Sequence, residues 1–104
     1  MLQIRLLGQF EIRLGGELVR IPSRPAQSLF VYLLLHPNKS HRREKLAGIF
    51  WPDVSEINAR SNLRHALWII RKALGPAANA RIVTDEFGIR YLPQPEDQLD
   101  VDIF

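Results

Sequence analysis

At 104 residues and 12.0 kDa the chain has room for one small domain, and its shares of hydrophobic (46%) and charged (24%) residues exclude a chiefly disordered state. With no cysteine, disulfide scaffolds, thiolate zinc centres, iron–sulfur clusters and Cys nucleophiles fall away together. The formal net charge of +3 hides an uneven distribution: residues 23–74 hold nine Lys/Arg against three acids, whereas the flanks hold five against eight.

The opening Met1-Leu2-Gln3-Ile4-Arg5 alternates like a strand and lacks the apolar core of a secretion signal. No apolar run approaches the roughly 20 residues that span a bilayer, so a soluble cytoplasmic domain is expected. Residues 2–7 and 10–14 read as two strands of a meander, with turns at Gly8-Gln9 and Gly15-Gly16. A third short strand, 18–21, ends at Pro22. Ser23 is a natural N-cap with Pro25 in the first turn of the helix that follows. Leu29, Phe30, Leu33 and Leu34 form the buried stripe of that helix, and His36-Pro37-Asn38 ends it.

A second helix is predicted over 42–50, with Leu46, Ile49 and Phe50 facing inward. Arg42, Arg43 and Lys45 crowd its opening turns, where basic side chains oppose the helix dipole. Such an arrangement suits an anionic partner, although helices also carry Lys and Arg on idle solvated faces. Trp51-Pro52-Asp53 breaks the helix. The third and longest helix, 56–74, stops at Gly75-Pro76. At about 100° per residue, Ala59, Leu63, Ala66, Leu67, Ile70 and Leu74 form its core stripe. Asn58, Ser61, Arg64, His65, Trp68 and Lys72 lie opposite, with Arg60 and Arg71 on one flank. Trp68 is out of place on an idle face; three settings suit it, under a hairpin against Phe87 or Tyr91 (the favoured one), over DNA sugar or thymine methyl groups, or docked on a partner protein. After a short loop, 82–84 and 89–92 bracket Asp85-Glu86-Phe87-Gly88 as a β-hairpin carrying Arg90. The prolines and acids of 93–98 read as a linker.

Strands, three helices, then a hairpin is the order of an α+β winged helix-turn-helix with an N-terminal antiparallel sheet. In that arrangement the third helix lies in the major groove and the hairpin is the wing, bringing Arg90 to the backbone or minor groove. Of the basic residues, Arg60, Arg64, His65 and Lys72 are the third-helix candidates for DNA contact, Arg64 and His65 above all for base edges. Arg43 and Arg71 suit phosphates.

Trp51-Pro52-Asp53, Ala59-Arg60-Ser61-Asn62-Leu63-Arg64-His65-Ala66-Leu67 and Ile70-Arg71-Lys72-Ala73-Leu74-Gly75 together resemble the bacterial SARP-type (antibiotic-regulatory) transcriptional activators, whose DNA-binding domain is of the OmpR/PhoB class. The likeness extends to Leu6-Leu7-Gly8-Gln9-Phe10-Glu11-Ile12, Pro22-Ser23-Arg24, Leu33-Leu34-Leu35-His36-Pro37, Arg43-Glu44-Lys45-Leu46-Ala47 and Val101-Asp102-Ile103-Phe104. It implies sequence-specific binding to direct repeats near promoters and recruitment of RNA polymerase; a module this small makes few contacts, so pairing of copies on tandem sites is expected as well. In the family the loop before the third helix touches the polymerase, which makes Asp53 and Glu56 the contact candidates. It also implies a winged-helix domain over 1–92, then 93–104 as linker and start of a helical-repeat bacterial transcriptional activation domain (BTAD). This sequence departs from the family at Arg42, where a serine cap is usual, and at Trp68 and Ile69, where polar residues are common.

Enzyme chemistry finds no footing. His36, His41 and His65 are scattered without metal-ligand spacing, and no paired carboxylates share a helical face, so neither metal nor cofactor is expected. The rival to DNA binding is a winged helix that docks a protein through its third helix.

Overall fold

A computed structural model describes residues 1–7 and 9–100. The elements run β1 (Leu2–Arg5), β2 (Glu11–Leu14), β3 (Glu17–Val19), α1 (Arg24–Leu35), α2 (Arg43–Phe50), α3 (Glu56–Leu74), α4 (Ala77–Arg81), β4 (Ile82–Thr84), β5 (Ile89–Tyr91) and β6 (Gln98–Leu99). The α+β winged helix-turn-helix expected from the order of elements is the architecture found.

Alternation in β1 and β2 buries Leu2, Ile4 and Ile12 on one face of a sheet ordered β3-β2-β1-β6. The two-residue turn between β2 and β3 needs positive φ at both positions, which Gly15 (58°) and Gly16 (87°) supply. The turn expected at Gly8-Gln9 falls partly outside the described residues, as do Val101, Asp102, Ile103 and Phe104.

In α1 the Ser23 hydroxyl accepts from the Ala26 N–H at 3.3 Å, with Pro25 in the first turn. Leu29, Phe30, Leu33 and Leu34 are buried as their spacing requires. They join Leu46 of α2, and Leu63, Ile70 and Leu74 of α3, in one core continuous with the sheet. Each fully buried side chain of this size contributes about 2 kcal/mol.

Four expectations are corrected. Ile49 is exposed. The inward residues of α2 are Leu46, Ala47 and Phe50, an arc centred near Phe50, and Ile49 lies about 100° from that centre. The stretch after Gly75-Pro76 is a fourth helix, α4, rather than a loop. The sheet is not purely antiparallel, because β6 pairs with β1 in parallel through Gln3↔Gln98 and Ile4↔Leu99. Residues 93–98 are therefore not free chain: Arg81, 5% exposed, donates two hydrogen bonds to the Asp97 carboxylate, one of 2.8 Å from Nε. The Leu2 and Gln94 N–H groups donate to the same carboxylate at 3.1 Å each.

Candidate nucleic-acid interface

Two ends fix α3. The Ser55 hydroxyl accepts from the Asn58 N–H at 3.2 Å, and the Gly75 N–H donates to the Arg71 carbonyl at 2.9 Å. Glu56 sits in the first turn and Arg71 and Lys72 in the last, each favourable to the helix dipole. With Ala59, Leu63, Ala66, Leu67, Ile70 and Leu74 buried, the helix cannot turn about its axis. Ser61, Arg64, His65, Trp68 and Lys72 are exposed on the other side, as the wheel requires.

Arg64 lines a groove between α2 and α3 together with Arg43, Glu44, Arg60, Leu63 and Leu67. Glu44 lies 3.6 Å from the Arg60 guanidinium and 3.8 Å from that of Arg42, so one acid is shared by two cations. All three are solvent-exposed, and such pairs are worth less than about 1 kcal/mol, easily exchanged for another anion. Arg42 makes no side-chain cap at the start of α2, consistent with its standing where a serine would cap. Arg43 also borders a cleft lined by Ser40, Arg42, Glu44, Glu86 and Phe87, which joins α2 to the wing tip.

Trp68 departs from the setting favoured for it. It is 54% exposed, and its ring partners belong to its own helix. The His65 ring stacks on it at 5.8 Å with planes 13° apart, and the Lys72 ammonium lies 4.8 Å from its centroid. Tyr91 instead packs edge-on to Phe30 at 6.0 Å in the core, where burial pushes its phenol up. Phe87 stands exposed at the wing tip.

Arg71 points to the wing. Its guanidinium donates to the Ile82 carbonyl at 3.2 Å and to the Thr84 hydroxyl at 3.4 Å, tying α3 to β4. Arg90, on β5 opposite Val83, is half-buried, and its Nε has no partner among the described residues. The tip is acidic and tightly turned: Asp85 Oδ1 accepts from the N–H groups of Phe87 (2.8 Å) and Gly88 (3.1 Å), and Glu86 is exposed. Asp53 and Glu56 are exposed on the α2–α3 loop and the first turn of α3, next to the exposed side chains of Val54 and Ile57.

Two features escaped sequence reasoning. His41 is 2% exposed, and its backbone exchanges two hydrogen bonds with Ile89, so the chain between α1 and α2 forms a third rung beside the wing. His41 Nε2 lies 3.1 Å from the His36 carbonyl. Gly88 makes this approach feasible: a Cβ there would lie 2.1 Å from the His41 carbonyl oxygen, at a φ of +148°. The second is the Arg81–Asp97 joint. Burial works against the Asp97 carboxylate, but the Arg81 guanidinium and two backbone N–H groups outweigh it and hold the carboxyl below its usual range. The same hydrogen bond raises Arg81.

Among the described residues no three His, Asp or Glu side chains assemble as a metal site, and no helix is long and apolar enough to cross a membrane. No family model and no curated protein matches the sequence. Among solved structures, EmbR of Mycobacterium tuberculosis, determined in complex with a low affinity phosphopeptide, has a similar fold, with a TM-score of 0.75 and 20% identity over 89% of this chain. The chain spans about a quarter of the length of that protein, 25%. At such low identity the likeness is one of fold, and the fold in common is the winged helix.

Proposed function

We propose that the chain is the sequence-specific DNA-binding domain of a bacterial transcriptional regulator of the SARP type, with α3 in the major groove. The observation that carries this is the outward face of α3, where Arg64, His65, Trp68 and Lys72 stand exposed on a helix whose opposite side is locked in the core. Arg64 and His65 approach base edges; Arg60 and Lys72 extend the contact along the helix. Arg43 reaches a flanking phosphate from the start of α2, and Arg71 does so beside the wing. The acidic tip keeps Asp85 and Glu86 away from the duplex, so the wing meets the backbone or minor groove along the side bearing Arg90.

The EmbR-like fold and the family motifs support the wider setting: direct repeats near promoters, two copies on tandem sites, RNA polymerase recruited through Asp53 and Glu56, and a helical-repeat activation domain following the winged helix of 1–92. Action on the nucleoid in the cytoplasm belongs to the same reading, and no catalytic role does. Copies spaced about 10–11 bp apart occupy one face of the duplex.

Salt titration tests the reading. If four to six of these cations meet phosphates, log K falls against log salt with a slope of about −4 to −5. Arg43→Ala weakens all sequences alike and reduces that slope by about one. A second reading, docking of a protein on α3, is favoured by the exposure of Trp68 and of Ile57, which is 80% exposed. Apolar docking is nearly insensitive to salt, so a flat titration with DNA rejects the first reading in favour of the second.

A further inference from the structure

We infer that Trp68 is a specificity-determining residue that reads thymine methyl groups in the major groove. The inference rests on the proposed placement of α3 on DNA and adds to it the base that this helix selects.

The ring stands among the polar groups of the outward face, about one helical turn beyond Arg64. It is held there. His65 stacks nearly parallel to it from the preceding turn, at 5.8 Å and 13°, and Lys72 places an ammonium 4.8 Å from its centroid from the following turn. Stacking and cation–π attraction both favour this arrangement. What the ring offers outward is mostly hydrocarbon surface, with Nε1–H as its one donor, engaged by its helix neighbours before DNA arrives.

The chemistry of the major groove then selects the partner. Each base edge there presents hydrogen-bond donors or acceptors, apart from the C5-methyl of thymine. An apolar rim set against guanine, adenine or cytosine desolvates polar atoms without pairing them. Against a thymine methyl it removes apolar surface from water on both sides. Lys72, drawn over the same ring, keeps positive charge beside that contact, where a phosphate can use it. The His65–Trp68–Lys72 row is thus an apolar reader set between an imidazole and an ammonium group, and it prefers a thymine at the base step that Trp68 faces.

The test needs the 104-residue chain and its own preferred duplex. Sites are selected from random duplexes, and one selected site is remade with each thymine replaced in turn by deoxyuridine, which removes the methyl and leaves the pairing edge intact. Binding by the unaltered chain falls about fourfold at one or two positions, the worth of one methyl group taken from water. In Trp68→Ala the same replacements leave Kd unchanged, and in Trp68→Phe part of the discrimination survives. His65→Ala, which frees the ring, reduces the discrimination without abolishing it. Trp68 is more than half exposed, so its replacement leaves the core intact; circular dichroism verifies this. An equal thymine penalty in the chain with and without Trp68, or no penalty at any thymine, overturns the inference and leaves DNA binding standing. If no sequence is selected at all, the DNA reading of α3 fails and this inference fails with it.

Discussion

The outward face of α3 and the joint between α4 and residues 94–98 are both built around arginine, yet they treat it in opposite ways. On α3, Arg60 and Arg64 are exposed, and the nearest acid to Arg60, Glu44, is 3.6 Å away and shared with Arg42. At the joint, Arg81 is buried, spends its guanidinium on Asp97 and the Ala77 carbonyl, and has Glu96 at 3.7 Å. Desolvation explains the difference. A charge removed from water must be fully paired where it lies, whereas a charge left in water keeps its pairing capacity for a later partner. Satisfied arginine is architecture; unsatisfied arginine on a rigid helix is a surface awaiting an anion.

Breaking the joint is expected to have the largest effect. Arg81→Ala strands a buried carboxylate together with the Leu2 and Gln94 contacts that converge on it, at about 3–5 kcal/mol of stability. Replacing both partners, Arg81→Met with Asp97→Leu, recovers much of that loss, because no unpaired charge remains. The joint also predicts acid sensitivity. The Asp97 carboxyl is held below its ordinary range, so its contribution is complete above the unfolded-chain value of about 4 and is lost as pH falls through the lower native value. Denaturant melts between neutral pH and pH 3 check both statements: Asp97→Asn is less stable at neutrality and loses less stability on acidification.

Gly88→Ala is next. It tests the other hidden joint, between the wing and the turn before α2. The new Cβ meets the His41 carbonyl at 2.1 Å and the φ of +148° is strained for any L side chain, so about 3 kcal/mol is expected. Because the strain lies beside α2, DNA binding weakens even at temperatures where the variant stays folded. A loss of stability with unchanged affinity would separate the wing from the interface.

These two joints are also where the sequence was least legible. The apolar stripe of α3 was readable because it repeats over about four turns, and Ser23-Arg24-Pro25 announces the start of α1 locally. The wing hairpin was readable from its turn and flanking strands. Asp97 was not: its partner is 16 positions away, and prolines at 93 and 95 give its surroundings the composition of a linker. The β6 strand has two residues and pairs with β1 some 95 positions earlier, too short for periodicity to register. Single-turn α4 fails for the same reason. On the candidate interface, exposure followed from the wheel, but the stacking of Trp68 on its own helix did not, since a wheel gives direction and not side-chain partners.

A smaller effect sharpens the boundary between the two kinds of arginine. Arg64→Ala is expected to cost about 1–3 kcal/mol on the preferred duplex and to blur preference at one position, with stability unchanged within about 0.5 kcal/mol. Arg71 stands between the classes, half-buried and bonded to Ile82 and Thr84 yet at the edge of the same face. Arg71→Ala is expected to lower stability by about 1–2 kcal/mol and weaken all duplexes modestly. Full stability in Arg71→Ala would place Arg71 with Arg64; unchanged affinity would place it with Arg81.

The smallest effect in vitro belongs to Asp53 and Glu56. Neither makes a side-chain hydrogen bond or ion pair among the described residues, and both are exposed. Ser55 alone supplies the side-chain cap of α3. Asp53→Ala therefore leaves stability unchanged, and Glu56→Ala removes only a first-turn acid favourable to the helix dipole, about 0.3–1 kcal/mol. Both lie at the N-terminal end of α3, ahead of Arg64 and Lys72 along the chain, and losing two negative charges near a polyanion strengthens non-specific DNA binding slightly. If the loop is a polymerase surface, the double variant in the intact regulator loses transcription while its occupancy of the operator stays level or rises. Parallel loss of occupancy and transcription would return both residues to the interface itself. Unchanged transcription would make them helix-start chemistry and nothing further.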